Sequence, residues 1–408
     1  MPSLYFNNKP RYADLPLHYG KVPAWLADRM ALLGGAIAEA IIMDYGKDAM
    51  LQKLSDPFWF QAFGCVLGMD WHSSGITTSV MGALKRSLNP RFNELGIYIA
   101  GGKGKHSLKT PNELAAFADR TGIDGNSLVR SSRLTAKVDN NAIQDGFQLY
   151  LHNFIVTREG NWAVVQQGMH ENSSMARRYH WNSAQFESYT KEPHTFIYGK
   201  NRGLILNLTH IDADQTKSRM LEIVHQKPEI IRREIQPLIM ASRHDVRTED
   251  INLKRLGAVL AFAYEKELHD FDSLLLLEGV GPRTIQSLAL VSEIIHGTPA
   301  RFSDPARFSF AHGGKDGHPF PVPVNVYDQT IQIMQQAIEK AKLNNRNKTE
   351  TIKNLSHVTR MLEENFTPGD SIDPLIEKER RESYKYGGRT VSGKAKKPKD
   401  NDDQLSLF

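Results

Sequence analysis

Asp139 and Asp145 stand six residues apart ahead of a β-rich run, and Gln166 lies on the next such run. Two carboxylates and an amide oxygen form a donor set for a hard divalent ion such as Mg²⁺ or Mn²⁺. Lys137 and His72 are the candidates for orienting a water on that ion. The chemistry would be metal-dependent phosphodiester hydrolysis, with Asp139 and Asp145 as metal ligands and Gln166 beside them. Zinc is a poor fit, because one cysteine, Cys65, and scattered histidines lack ligand spacing. Lys103 and Lys105 lie in a glycine-lysine loop, 101–105, after the strand expected at 97–99. Such a loop suits phosphate, but it lacks the spacing and the Lys-Ser/Thr ending of a P-loop.

The elements that would hold these groups form an α+β chain. Apolar residues recur at helical spacing over 23–40 (Leu26, Met30, Leu33, Ile37) and over 58–67. Ser73 or Ser74 is expected to cap a helix ending near 84–86. Thr110, Pro111 and Glu113 read as a capping box that opens a helix to about Thr121. Residues 147–156 and 162–167 alternate as two strands around a turn with Gly160, which predicts a hairpin. Another strand is expected at 203–208. From Asp214 the pattern turns helical: 215–225, 228–240 and 248–266. An acid ahead of a hairpin whose second strand carries Glu/Gln loosely resembles the restriction-enzyme core. The lysine of that core is missing, since Gly168 and Met169 occupy its place.

A second motif spans Asp272 to Leu290 and resembles the helix-hairpin-helix of DNA-binding proteins. Gly279 and Gly281 allow a tight reversal, Val280 points inward and Pro282 opens the next helix. The resemblance implies a sequence-independent grip on one phosphate by the hairpin N–H groups, with Arg283 and Thr284 beside it. Some base-excision glycosylases carry a lysine where Arg283 stands. An arginine cannot form a Schiff base at neutral pH, so a lyase is disfavoured. Asp304 and Asp328 remain as acids for a monofunctional glycosylase, although Asn325 stands where a Pro-Val-Asp would place one. The loop 312–319, with Lys315 among glycines and histidines, is either a nucleic-acid contact or a structural loop.

From Glu377 to Lys399 there are nine Lys/Arg against three Glu, a local net charge of +6. With almost no aliphatics, that segment cannot offset its ordering entropy and is expected to be disordered. It leads to Gln404, Leu405, Ser406, Leu407 and Phe408, an apolar end that resembles the pentapeptide by which bacterial repair and replication proteins dock on the sliding clamp. The resemblance implies that Gln404 bonds at the pocket edge while Leu405, Leu407 and Phe408 fill two depressions.

The chain of 408 residues has 40% hydrophobic and 24% charged residues, a net charge of +5 and a pI near 9.0. That balance suits a polyanion partner. No apolar run is long enough to span a bilayer, no secretory signal is evident, and a cytoplasmic, nucleoid-associated place is expected. Three parts are expected: an α+β part at 1–210, a helical part at 211–368 with the hairpin motif at 272–297, and the tail at 369–408. Over residues 1 to about 366 the chain resembles a bacterial and archaeal family of unknown function. The resemblance is carried by stretches such as 71–85, 137–140, 144–150 and 162–169. The expected function is a clamp-tethered DNA nuclease of repair or recombination. A non-catalytic DNA-binding adaptor and a monofunctional glycosylase are the alternatives.

Overall fold

The computed structural model describes residues 15–16, 22–69, 74–170, 175–227, 230, 260–266, 268–307, 324–341, 343–364, 389–390 and 393–394. His72, Ser73, Lys315, the loop 312–319, most of the helices expected at 228–240 and 248–266, and Gln404–Phe408 lie outside them.

The first helices are α1 (Ala24–Tyr45), α2 (Lys47–Ser55), α3 (Pro57–Val66) and α4 (Gly75–Leu88). Gly46, at φ +89°, turns the chain between the first two. Asp56 starts α3: its carboxylate accepts from the N–H groups of Phe58 and Trp59, and Pro57 takes the first turn, where no N–H is needed. After the short α5 (Phe92–Leu95) come α6 (Thr110–Thr121), α7 (Gly125–Lys137) and α8 (Asp214–Val224). Then follow α9 (Phe271–Leu276), α10 (Pro282–His296), α11 (Val324–Lys340) and α12 (Asn345–Glu364).

The strands are β1 (Leu15–Pro16), β2 (Ile97–Lys103), β3 (Ile143–Gln144), β4 (Gln148–Thr157) and β5 (Trp162–His170). They continue with β6 (Met175–Asn182), β7 (Phe196–Tyr198), β8 (Leu204–Asn207) and β9 (Arg301–Ser303). The main sheet is antiparallel in the order β1-β6-β5-β4-β2, with β7 also on β6. A smaller antiparallel sheet has the order β3-β8-β9. The expected hairpin is therefore β4–β5, with Gly160 at φ +92° in its turn.

Alternation along the strands sorts the core into two layers. Ile155, Ala163 and Val165 face α1–α4, together with Met334, Ala337 and Leu355 from α11 and α12. Phe154, Val156, Trp162, Val164 and Trp181 face the other way, onto α6–α10. The second cluster joins residues on both sides of position 210. The segment after 210 also supplies strand β9, so within the described residues it is not wholly helical.

The helix at 110–121 forms, but the capping box does not. Lys109 stands at the N-cap, the Thr110 hydroxyl donates back to Ser107 O at 2.7 Å, and Glu113 accepts from Gly101 N–H at 2.9 Å. Lys85 braces the same carboxylate at 2.6 Å and Gly101 O at 2.8 Å. Gly101 has φ +91°, and a Cβ there would collide with the His152 carbonyl. Glycine is thus required where β2 meets β4.

Candidate functional site

The alternation that builds the core also carries polar side chains inward at one end of the sheet. His152, Gln166 and Tyr179 are cross-strand neighbours on β4, β5 and β6, on the α7 side. Asp139 meets them from a single π-turn, Val138–Ala142, that continues α7. Its Oδ2 accepts from Gln166 Nε2 at 2.6 Å and Trp181 Nε1 at 3.0 Å, and its Oδ1 lies 2.5 Å from His194 Nε2. Asp139 is fully buried, and burial pushes its pKa up against the pull of His194.

The network sets its own proton positions. The Gln166 amide nitrogen is committed to Asp139, so its oxygen faces His152 Nδ1 at 2.8 Å. His152 then donates from Nδ1 and accepts at Nε2 from Ser132 Oγ, 2.8 Å away. Burial lowers the His152 pKa to about 4. Its folded value lies below the unfolded one near 6.5, so the stability it contributes is complete above about pH 6.5. That contribution is lost as pH falls toward 4. Urea midpoints measured from pH 7 to pH 4 are expected to fall over that window, and to fall less in His152→Gln.

Asp145 lies in a different cluster. Its Oδ2 accepts from Arg177 at 2.9 Å and Tyr179 Oη at 2.7 Å, and its Oδ1 accepts from Phe147 N–H at 2.9 Å. Arg177 also binds both oxygens of Asp304 at 3.1 Å and donates to Lys200 O at 2.5 Å. All three charged side chains are completely buried. Burial raises the Asp145 pKa, and Arg177 opposes that rise.

The face toward α1–α4 has its own polar set. Arg178 donates to His180 Nε2 at 2.9 Å and Gln61 Oε1 at 2.9 Å, and its guanidinium lies 4.6 Å from the Phe60 ring centre. Burial lowers the pKa of Arg178 to about 10 and that of His180 well below its usual range. Gln167 is occupied as well, by Thr77, Ser74 O and Tyr150 Oη.

The structure places the expected catalytic residues in two clusters. Asp139 and Gln166 touch each other, Asp145 lies with Arg177 and Tyr179, and all of these side chains are buried. Among the described residues no group of three or more His, Cys, Asp or Glu could hold a metal ion. Lys137 leaves this cluster altogether: its ammonium donates to Val280 O at 2.6 Å, and burial lowers its pKa. Asp304 is committed to Arg177, which removes it as a free acid.

The glycine turn of 277–281 joins α9 and α10 as expected, with Gly279 at φ +82° and Val280 buried. Val280 O in the turn accepts from Lys137 Nζ, and Pro282 O, at the first residue of α10, accepts from Gln144 Nε2 at 2.7 Å. The N–H groups of Gly279 and Gly281 have no partner among the described residues. Gly279 and Arg283 are exposed. Thr284 differs from expectation: it is buried, and its hydroxyl has no partner among the described residues. Lys103 and Lys105 are exposed at the end of β2 and in the turn after it, with the Lys103 ammonium 5.6 Å from the Tyr150 ring centre.

A family described as "Protein of unknown function (DUF763)" matches residues 11–322. The chain belongs to that family. The match includes the β4–β5 hairpin, the Asp139 network and the glycine turn, and ends before α11, α12 and the basic tail. No curated protein and no solved structure matches the chain. Among the described residues no helix is long and apolar enough to cross a membrane.

His194 and His152 are the members of these networks that sequence reasoning missed. One usable signal was present: His152 and Gln166 fall at inward positions of strands that are otherwise apolar on that face.

Proposed function

We propose that this family member is a non-catalytic DNA-binding protein of repair or recombination, recruited to the bacterial sliding clamp by Gln404–Phe408. The observation that carries the reading is the glycine turn at 277–281. Val280 O is bonded by Lys137, the Gly279 and Gly281 N–H groups have no partner among the described residues, and Arg283 is exposed at the start of α10. Outward N–H groups at a helix start suit one DNA phosphate and carry no base information. Arg133, exposed on α7 one turn before Lys137, extends the positive charge beside the turn.

The clamp peptide rests on its sequence, as does the basic tail that presents it. Tethering to the clamp raises the local concentration of the body near DNA, so weak intrinsic binding suffices. Burial of Asp139, Asp145 and Asp304 weighs against a nuclease or glycosylase built on them, and we take the adaptor reading over both.

Arg283→Ala tests the reading. Its fold should be unchanged, within about 0.5 kcal/mol by urea melting, because the side chain is exposed. Duplex affinity should fall several-fold at low salt, and the slope of log affinity against log salt should drop by about 1. Separately, removal of residues 404–408 should abolish binding to a purified sliding clamp while leaving DNA binding intact. An unaltered salt slope in Arg283→Ala would sink the role of the turn. Metal-dependent products from the wild-type chain would return the nuclease to first place.

A further inference from the structure

The most exposed large apolar side chain among the described residues is Leu108, at 81% of its full accessibility. A single exposed leucine is ordinary, and its setting is what matters here. It sits in the 3₁₀ turn Gly104–Lys109, which follows β2 directly. Lys103, Lys105, His106 and Lys109 surround it in sequence, all exposed, and no acid occurs from 95 to 112. The turn is also braced. Ser107 Oγ donates to Gly104 O at 2.6 Å, and Thr110 Oγ1 donates to Ser107 O at 2.7 Å. Lys85 and Glu113 clamp Gly101 at its base. An apolar tip held in place loses little conformational entropy when it is received by a partner.

We propose that Leu108 is a wedge that inserts between bases of the bound DNA, while Lys105 and Lys109 hold the phosphates on either side. The proposal rests on the DNA-binding reading above and adds which DNA is preferred. Charge selects the partner: a leucine ringed by cations without acids fits a polyanion that has an apolar interior, and stacked bases are that interior. Gln144, which bonds Pro282 O, and Leu151, which pairs with Lys103 at the base of the turn, lie seven residues apart on one stretch of chain. Separating an intact base step costs more than burying one leucine returns, so the wedge favours sites already weakened by a mismatch or a junction.

The test uses the full chain and two 25-base-pair duplexes, one matched and one with a single central mismatch flanked by 2-aminopurine. Fluorescence anisotropy reads affinity and 2-aminopurine emission reads unstacking. The wild-type chain should bind the mismatched duplex about 10-fold more tightly than the matched one and raise its emission. Leu108→Ala should melt with the wild type, lose the emission change and reduce the preference to about 2-fold or less. Leu108→Phe should keep both. Arg283→Ala should weaken both duplexes alike and leave their ratio unchanged. Equal binding of the two duplexes by wild type, with Leu108→Ala indistinguishable, overturns the wedge and leaves DNA binding standing. Absence of binding to either duplex at low salt overturns the DNA reading itself, and the wedge with it. Binding to phosphatidylglycerol vesicles that needs Leu108, with DNA binding that does not, assigns the tip to a lipid surface and also overturns the proposal.

Discussion

Arg177→Met is expected to destabilise the chain by about 3–5 kcal/mol, because it leaves two buried carboxylates without their cation. Arg177 ties together three segments that are distant in sequence. It lies on β6, Asp145 follows β3, and Asp304 follows β9, with Arg177 and Asp304 127 residues apart. Its guanidinium also lies 4.6 Å from the Phe147 ring centre, so methionine keeps some packing while removing the charge. The sign of the pH dependence separates this cause from lost packing. Without Arg177, burial and the neighbouring Asp304 carboxylate hold the folded-state pKa of Asp145 above the unfolded one, near 4. The variant should then come closest to wild type below about pH 4 and lose stability as pH rises. A packing defect would give the same deficit at every pH. Adding Asp145→Asn and Asp304→Asn to Arg177→Met should recover much of the loss, since an uncharged cluster needs no cation. Urea denaturation from pH 3.5 to pH 7.5 on the three proteins checks each step.

What was legible from sequence follows the range of the forces involved. The β4–β5 hairpin could be read because its period and its turn glycine are local properties. The glycine turn before α10 could be read for the same reason. The capping box at Thr110 failed because a tertiary partner outcompeted the local one: Glu113 binds Gly101 and Lys85 instead of its own helix start. Arg177 and Arg178 are adjacent in sequence, yet strand alternation sends them to opposite faces of β6, where distant groups bury both. Asp139 and Asp145, read together from sequence, sit in separate clusters, because six residues of spacing do not reveal that one faces His194 and the other Arg177. Nothing in the local sequence around His194 points to the carboxylate it meets 55 residues away.

Asp139→Ala is expected to cost on the order of 3 kcal/mol, since it removes the acceptor of the Trp181 indole and the partner of the His194 ring in a dry interior and leaves the Gln166 amide nitrogen only Thr135 O. Asp139→Asn distinguishes a structural hub from a metal ligand. The two donors on Oδ2 will hold the asparagine oxygen on their side, which turns its amide nitrogen toward His194 Nε2. The amide nitrogen donates, so His194 Nε2 must accept and the ring proton moves to Nδ1. The exchange preserves every hydrogen bond except the charge-assisted part, and the loss should stay within about 1–2 kcal/mol. As a hub, Asp139 predicts that Asp139→Asn remains folded, binds DNA as the wild type does, and shifts only the histidine resonances seen by NMR. A metal ligand would behave differently, because an asparagine there removes the charge that holds a divalent ion. If the wild-type chain yields metal-dependent products and Asp139→Asn abolishes them at unchanged stability, the buried hub must open to solvent during function. The Asp139–His194 contact would then be the closed form of a catalytic centre.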